Sequence, residues 1–462
     1  MKISLSISTA ILVALTSTAC AKQRSFSDSK DQPLNFEKKT TPQPQSEPIK
    51  VNKEKLFESE MRILKSENPS LAEMISNPCI KDGSCPSYNI TAGEAPIKNE
   101  QILILEAMTF PESSFTRYQN RVSGFYHYNE DGTYRRITPR AKVAMPDPNL
   151  FKNINSMNLQ FGREYFQRKF PTIGYYLADN LNIDYKIHLE NSIHGWQVFE
   201  FLVERNPDAN FVFANFPYFN SKEEVCGLLS EEDDSEIYLR GKIEKYAESL
   251  SEVIKTHKVK YVNASFGWGL PNIQQFLSIK CGSKANLQKA KKLKEILSSL
   301  LIKLLEMNSD IIIVNSVINE PEPGYSCDEH ERLIRVGFFN QIKSTIPPDG
   351  VSFADVTLPR FLENAKYCID VMVNGGIIES NELNKSTKLN EHFPKYFDKN
   401  SLMFNWSGYF NQPIDLMATS WAAPIALSML RSMHKDTPAY EVRSKILLQA
   451  FDPVRNNQFV GK

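Results

Sequence analysis

The chain lacks an excess of charge of either sign. Its 54 lysines and arginines are matched by 54 aspartates and glutamates, for a formal net charge of zero. That balance argues against nucleic acid as a partner, because phosphate backbones are met by a basic patch or stripe. Glycine is sparse, at 19 residues, and none of it forms a Gly-x-x-x-x-Gly-Lys phosphate loop. There is no His-Glu-x-x-His zinc helix, and the cysteines do not cluster with histidines at metal-ligand spacing. No metal site is expected on those grounds. After the first 20 residues, no apolar run approaches the ~20 residues needed to span a bilayer. What remains is globular in kind, with 41% hydrophobic and 23% charged residues. A length of 462 residues suits one large domain with appendages.

Residues 1–20 read as a targeting segment. Lys2 gives a positive start, Ile7 to Leu15 an apolar run, and Ser17-Thr18-Ala19-Cys20 a small-residue end. Small residues ending in cysteine resemble a bacterial lipobox, which would make Cys20 the lipidated first residue of a protein held at the cell envelope, on its periplasmic or extracellular face. Setting Cys20 aside leaves six of the seven cysteines. An even number in an exported chain suggests disulfides. Local pairing gives Cys79 with Cys85, Cys226 with Cys281, and Cys327 with Cys368.

Residues 21–53 are rich in Gln, Ser, Lys, Thr and Pro and cannot bury a core, so they read as a tether. Residues 54–97 form an N-terminal extension, with a helical pattern from Leu56 to Leu71 and a small loop between Cys79 and Cys85. It is either a propeptide remnant or a packing extension. Residues 98–462 form the main domain. Solid apolar runs recur there: Ile102 to Leu105, Phe211 to Ala214, Tyr261 to Ala264 and Ile311 to Val314. Such runs mark strands buried on both faces. Helical spacing lies between them, at Ile243, Tyr246, Leu250 and Ile254 and again at Leu293, Ile296, Leu300 and Leu304. Alternating strands and helices predict an α/β fold with a mainly parallel sheet covered on both faces.

In such folds chemistry gathers at the carboxyl ends of the strands. One stretch stands out, Ala418-Thr419-Ser420-Trp421-Ala422-Ala423-Pro424, followed by the apolar run Ile425 to Leu430. A serine at a helix start has its hydroxyl at the positive end of the dipole and a backbone N–H free for an oxyanion. The same residue could act as a helix cap and nothing more. Ser192-Ile193-His194-Gly195-Trp196-Gln197-Val198 sets a histidine at the start of another helix. Val262-Asn263-Ala264-Ser265-Phe266-Gly267 ends one strand, and Val317-Ile318-Asn319 follows another. Glu106 directly follows the first buried strand.

Together these stretches resemble the motifs of the subtilisin-like serine peptidases. The serine stretch resembles Gly-Thr-Ser-Met-Ala-(Ala/Ser)-Pro, and the histidine stretch resembles His-Gly-Thr-His-Val. The resemblance covers roughly residues 98–455, with a long insertion between Glu106 and His194. It implies a subtilisin-like fold and Ser420 as nucleophile. His194 would be the general base, Asn319 the side-chain oxyanion donor, and Ser265, Phe266 and Gly267 the border of the substrate cleft. Glu106 falls where the family places its aspartate; Asp179 and Asp184 lie nearer His194 in sequence. The partners implied are a protein or peptide substrate and, through the lipid, a membrane. No cofactor is required, although Glu231-Glu232-Asp233-Asp234 could hold a structural calcium or be a solvated loop. The chain departs from the family at Glu106, at Ala418 and Ile318 where glycines stand, and at Trp268. Those departures leave a second reading, a subtilisin-like lipoprotein that binds peptide or an envelope protein without cleaving it.

Overall fold

The computed structural model describes residues 53–91, 94–95, 100–106, 118, 120–161, 165–181, 193–216, 225–226, 234–267, 269–282, 287–317, 330–342, 356–357, 368–378 and 419–449. Three helices come first, α1 (Lys53–Glu67), α2 (Pro69–Ile75) and α3 (Cys79–Asp82), then strand β1 (Ser87–Thr91). Next are β2 (Gln101–Glu106), β3 (Val122–Tyr128), β4 (Tyr134–Ile137) and β5 (Arg140–Ala144), followed by α4 (Leu150–Phe161), α5 (Tyr165–Lys169), α6 (Pro171–Leu181) and α7 (Ile193–Arg205). The middle of the chain gives β6 (Asn210–Asn215), α8 (Asp234–His257), β7 (Val259–Ala264), α9 (Leu270–Cys281), α10 (Leu287–Met307) and β8 (Ile312–Ser316). Last come β9 (Leu333–Ile342), β10 (Val356–Thr357), β11 (Val371–Ile378), α11 (Thr419–Met433) and α12 (Ala439–Gln449).

Nine strands form one sheet in the order β10-β9-β8-β7-β2-β6-β3-β4, with β11 also paired to β9. The β3–β6, β6–β2, β2–β7, β7–β8, β8–β9 and β9–β11 pairs are parallel, and only β10 and β4 run the other way. The protein is therefore α/β with a mostly parallel, mixed sheet. β2 lies near the centre and is buried along its whole length, which is why its sequence is apolar on both faces. Ile102 and Ile104 share a core with Phe211, Phe213, Val314 and residues of α7 and α11. Leu103 and Leu105 face the other way, into a core with α8 and α10. Each such side chain contributes about 1.5–3 kcal/mol by leaving water.

The N-terminal extension and the insertion before α7 fold together. β1 pairs antiparallel with β5, Ser87 opposite Ala144 and Thr91 opposite Arg140. Leu64, Leu71 and Ile75 share a third core with Leu150, Ile154, Phe166, Phe170 and Ile173. Glu60 of α1 also caps α6: its carboxylate accepts the N–H of Thr172 at 3.1 Å, the Thr172 hydroxyl at 2.7 Å and the N–H of Ile173 at 2.9 Å. An anion suits the positive end of a helix, and Pro171 leads α6 with no N–H to satisfy. Removing residues 53–91 would strip one side of this core, so the described part of the extension packs as an integral piece. Cys79–Cys85 and Cys226–Cys281 are disulfides, as expected. Cys368 is disulfide-bonded too; Cys327, its expected partner, lies outside the described residues.

Candidate active site at the carboxyl edge of the sheet

β2, β7 and β8 are neighbours, and they end together at Glu106, Ala264 and Ser316. Strand side chains alternate between faces, so Glu106 follows Ile102 and Ile104 onto the face covered by α7 and α11. Glu106 is only 1% exposed. A buried carboxylate costs several kcal/mol unless hydrogen bonds replace its water. One such bond comes from the backbone N–H of Ser265, at 2.8 Å from Oε1. The Glu106 carbonyl accepts the Phe216 N–H at 2.9 Å, so the residue is tied to the segments that follow β6 and β7, on either side of it.

The segment after β7 is held from several directions. Asn263 Nδ2 donates to Ser265 Oγ at 2.7 Å. Asn315, on β8, donates through Nδ2 to the carbonyls of Ala264 at 2.7 Å and Phe266 at 2.8 Å. The Phe266 ring packs on Phe216, with centroids 4.0 Å apart. Gly267 is exposed beyond it.

α11 begins at the same edge. The Thr419 hydroxyl donates to the carbonyl of Val317, directly after β8. Ser420 is the second residue of the helix and 6% exposed. Among the described residues its hydroxyl has no hydrogen-bond partner. The N–H groups of the first turn have no carbonyl inside the helix to bond. Pro424 has no N–H to return to the Ser420 carbonyl.

The far ends of α7 and α11 fix how the two helices lie. Asn206, just past α7, donates to Ser428 Oγ at 2.8 Å. Arg431 bonds Asp208 through both terminal nitrogens, at 2.8 and 2.9 Å, and Glu100 through Nε at 2.6 Å. Its guanidinium holds the Asp208 carboxyl below the usual carboxylate range, against the pull of burial. Glu100 precedes β2 and Asp208 precedes β6, so both helices finish at the amino edge. Phe201 and Trp421 pack together between, with centroids 6.0 Å apart. Both helices therefore start at the carboxyl edge, and His194 is the second residue of α7.

Glu106, Ser265, Phe266, Gly267 and Ser420 are thus placed at one edge, and α7, whose second residue is His194, starts from that same edge. The side chains of His194 and Asp179 lie outside the described residues, as do Cys20, Asp184, Trp268, Ile318, Asn319, Ala418 and the acidic run Glu231 to Asp233. Sequence reasoning missed Asn315, because an asparagine near a strand end reads as a turn residue. It also missed the polar cluster of Asn206, Ser428 and Arg431, in which Asn206 lies more than 200 residues from the other two. No protein-family model, curated protein or solved structure matches the chain.

Proposed function

We propose that the protein is a serine peptidase of the subtilisin type, cleaving peptide bonds in a protein or peptide substrate. The observation that carries this reading is a constellation in chain order. A buried carboxylate, a histidine-bearing helix start and a serine-bearing helix start share one edge and one face of a parallel sheet. In the reaction, Ser420 Oγ attacks the scissile carbonyl carbon and His194 takes its proton. The proton passes to the leaving amine, and water then hydrolyses the acyl-enzyme. Glu106 stabilises the imidazolium. The Ser420 N–H and Asn319 receive the oxyanion, and a donor of that kind is worth about 2.7–4 kcal/mol of barrier. The segment Ser265 to Gly267 borders the substrate.

The departures at Glu106 and, where the family keeps glycines, at Ala418, Ile318 and Trp268 favour a second reading, in which the same cleft binds a peptide or an envelope protein without cutting it. Glycine lets a substrate backbone approach closely, and bulk at those positions narrows the pocket. A fluorophosphonate separates the two readings, because it reports an activated serine whatever the substrate. Labelling at Ser420 that disappears in Ser420→Ala supports the peptidase; labelling at another serine, or none, overturns it.

The proposed location is the cell envelope, on the periplasmic or outer face, held by lipid at Cys20. Disulfides suit an oxidising compartment, and no helix among the described residues is long and apolar enough to cross a membrane. Cys20→Ser is expected to move the protein from the membrane fraction to the soluble one. An unchanged distribution would exclude Cys20 as the attachment point.

A further inference from the structure

The order of the three central strands is β8-β7-β2. Between Asn315 on β8 and Glu106 on β2 lies a single peptide unit, the bond joining Ala264 to Ser265. Its carbonyl oxygen accepts Asn315 Nδ2 at 2.7 Å. Its N–H donates to Glu106 Oε1 at 2.8 Å. In a planar trans peptide the carbonyl and the N–H point in opposite directions. Fixing the carbonyl therefore aims the N–H. Asn315 also holds the carbonyl of Phe266, two residues on, at 2.8 Å, so one amide grips the segment at two points. Where the regular ladder stops, these side chains continue it across three strands. Chained hydrogen bonds of this kind polarise one another.

We propose that Asn315 is a positioning residue for Glu106, acting through the Ala264–Ser265 peptide. The catalytic part of this inference rests on the serine-peptidase reading; the structural part does not. Asn315 touches neither the serine nor the substrate. It aims a backbone donor to the buried carboxylate, at the edge where the histidine helix begins.

Two variants remove the donor: Asn315→Leu, which keeps the branching at the γ carbon, and Asn315→Ala, should leucine crowd the strand end. The first readout is amide hydrogen exchange resolved to single residues, which needs no activity. Exchange at Ser265 is expected to rise about tenfold, the worth of one lost hydrogen bond, while Ile313 in the body of β8 is unchanged. Unaltered exchange at Ser265 in a folded variant overturns the inference. The second readout is fluorophosphonate labelling of Ser420. The inactivation rate constant is expected to fall about 10²-fold, as for misplacement of a catalytic group, with the binding constant of the reagent unchanged. In a Glu106→Gln background the same substitution is expected to add nothing. An Asn315 effect that persists undiminished in that background shows ordinary structural damage and contradicts the proposal. A parent that does not label at all defeats the serine-peptidase reading, and the exchange experiment then still decides whether Asn315 aims the peptide.

Discussion

The two edges of the central sheet are built from different materials. At the amino edge, charge is matched with charge: Arg431 bridges Glu100 and Asp208. Arg121 donates to the carbonyls of Asn206 and Ala209. At the carboxyl edge, the described side chains of β2, β7, β8 and α11 include no arginine or lysine. The carboxylate of Glu106 is met there by a backbone N–H, asparagine amides hold carbonyls, and a serine hydroxyl stands at a helix start. Guanidinium–carboxylate pairs lock elements in place, because breaking one leaves a buried charge without its partner. Neutral donors hold a group in position while leaving its charge available for chemistry. One edge fastens α7 and α11, and the other presents their starting residues.

If that division is right, substitutions at the two edges should fail in different ways. The largest effect is expected from Glu106→Gln. It keeps size and shape, yet removes the negative charge opposite the imidazolium and favours the wrong ring tautomer. Peptidase turnover should drop by about 10⁴, the figure for amide replacement in the best-studied triad, while the melting transition stays close to that of the parent. A variant as active as the parent would remove Glu106 from the mechanism and bring Asp179 and Asp184 forward.

At the other edge, Arg431→Met should cost about 3 kcal/mol in urea unfolding. That is the low end for a broken buried pair, because Asp208, at 45% side-chain exposure, can turn to water. Labelling of Ser420 at low temperature should be little changed. A variant that keeps full stability but loses labelling would reverse the roles given to the two edges.

The smallest effect concerns His257, buried at the foot of α8 with its Nε2 hydrogen-bonded to the Tyr126 hydroxyl at 2.8 Å. Burial, with help from the Arg136 charge, lowers its pKa from 6.5 to about 4. Between those values the unfolded chain binds a proton that the folded chain refuses, so stability falls as pH falls through that window. In His257→Gln, unfolding free energy should vary less with pH between about 6.5 and 4. An identical slope in the variant would show that other groups set the acid sensitivity.

Much of this arrangement is legible in the sequence, and the reasons are local. β2, β6, β7 and β8 are apolar runs, and a run buried on both faces announces itself. The serine helix is marked by Thr419-Ser420 and the small residues after it. β9 is harder to read: Arg335 interrupts it, and the distant Asp370 makes that arginine tolerable inside a sheet. β11 contains Asn374-Gly375-Gly376, which reads as a turn, yet the strand continues past a break in register between Asn374 and Ile377. The union of the extension with the insertion is invisible for a different reason. β1 and β5 are short and partly polar, and their pairing spans about 50 residues of chain. Asn315 is the same lesson at the site: its value depends on a peptide from one neighbouring strand and a carboxylate from the next.

The most direct measurement of the central claim is covalent labelling of the intact, disulfide-bonded protein with a fluorophosphonate, followed by identification of the modified residue. The account predicts one adduct, on Ser420, absent from Ser420→Ala and formed far more slowly in both Glu106→Gln and His194→Gln. An adduct on any other serine, or a chain that stays unmodified while fully folded, would contradict it.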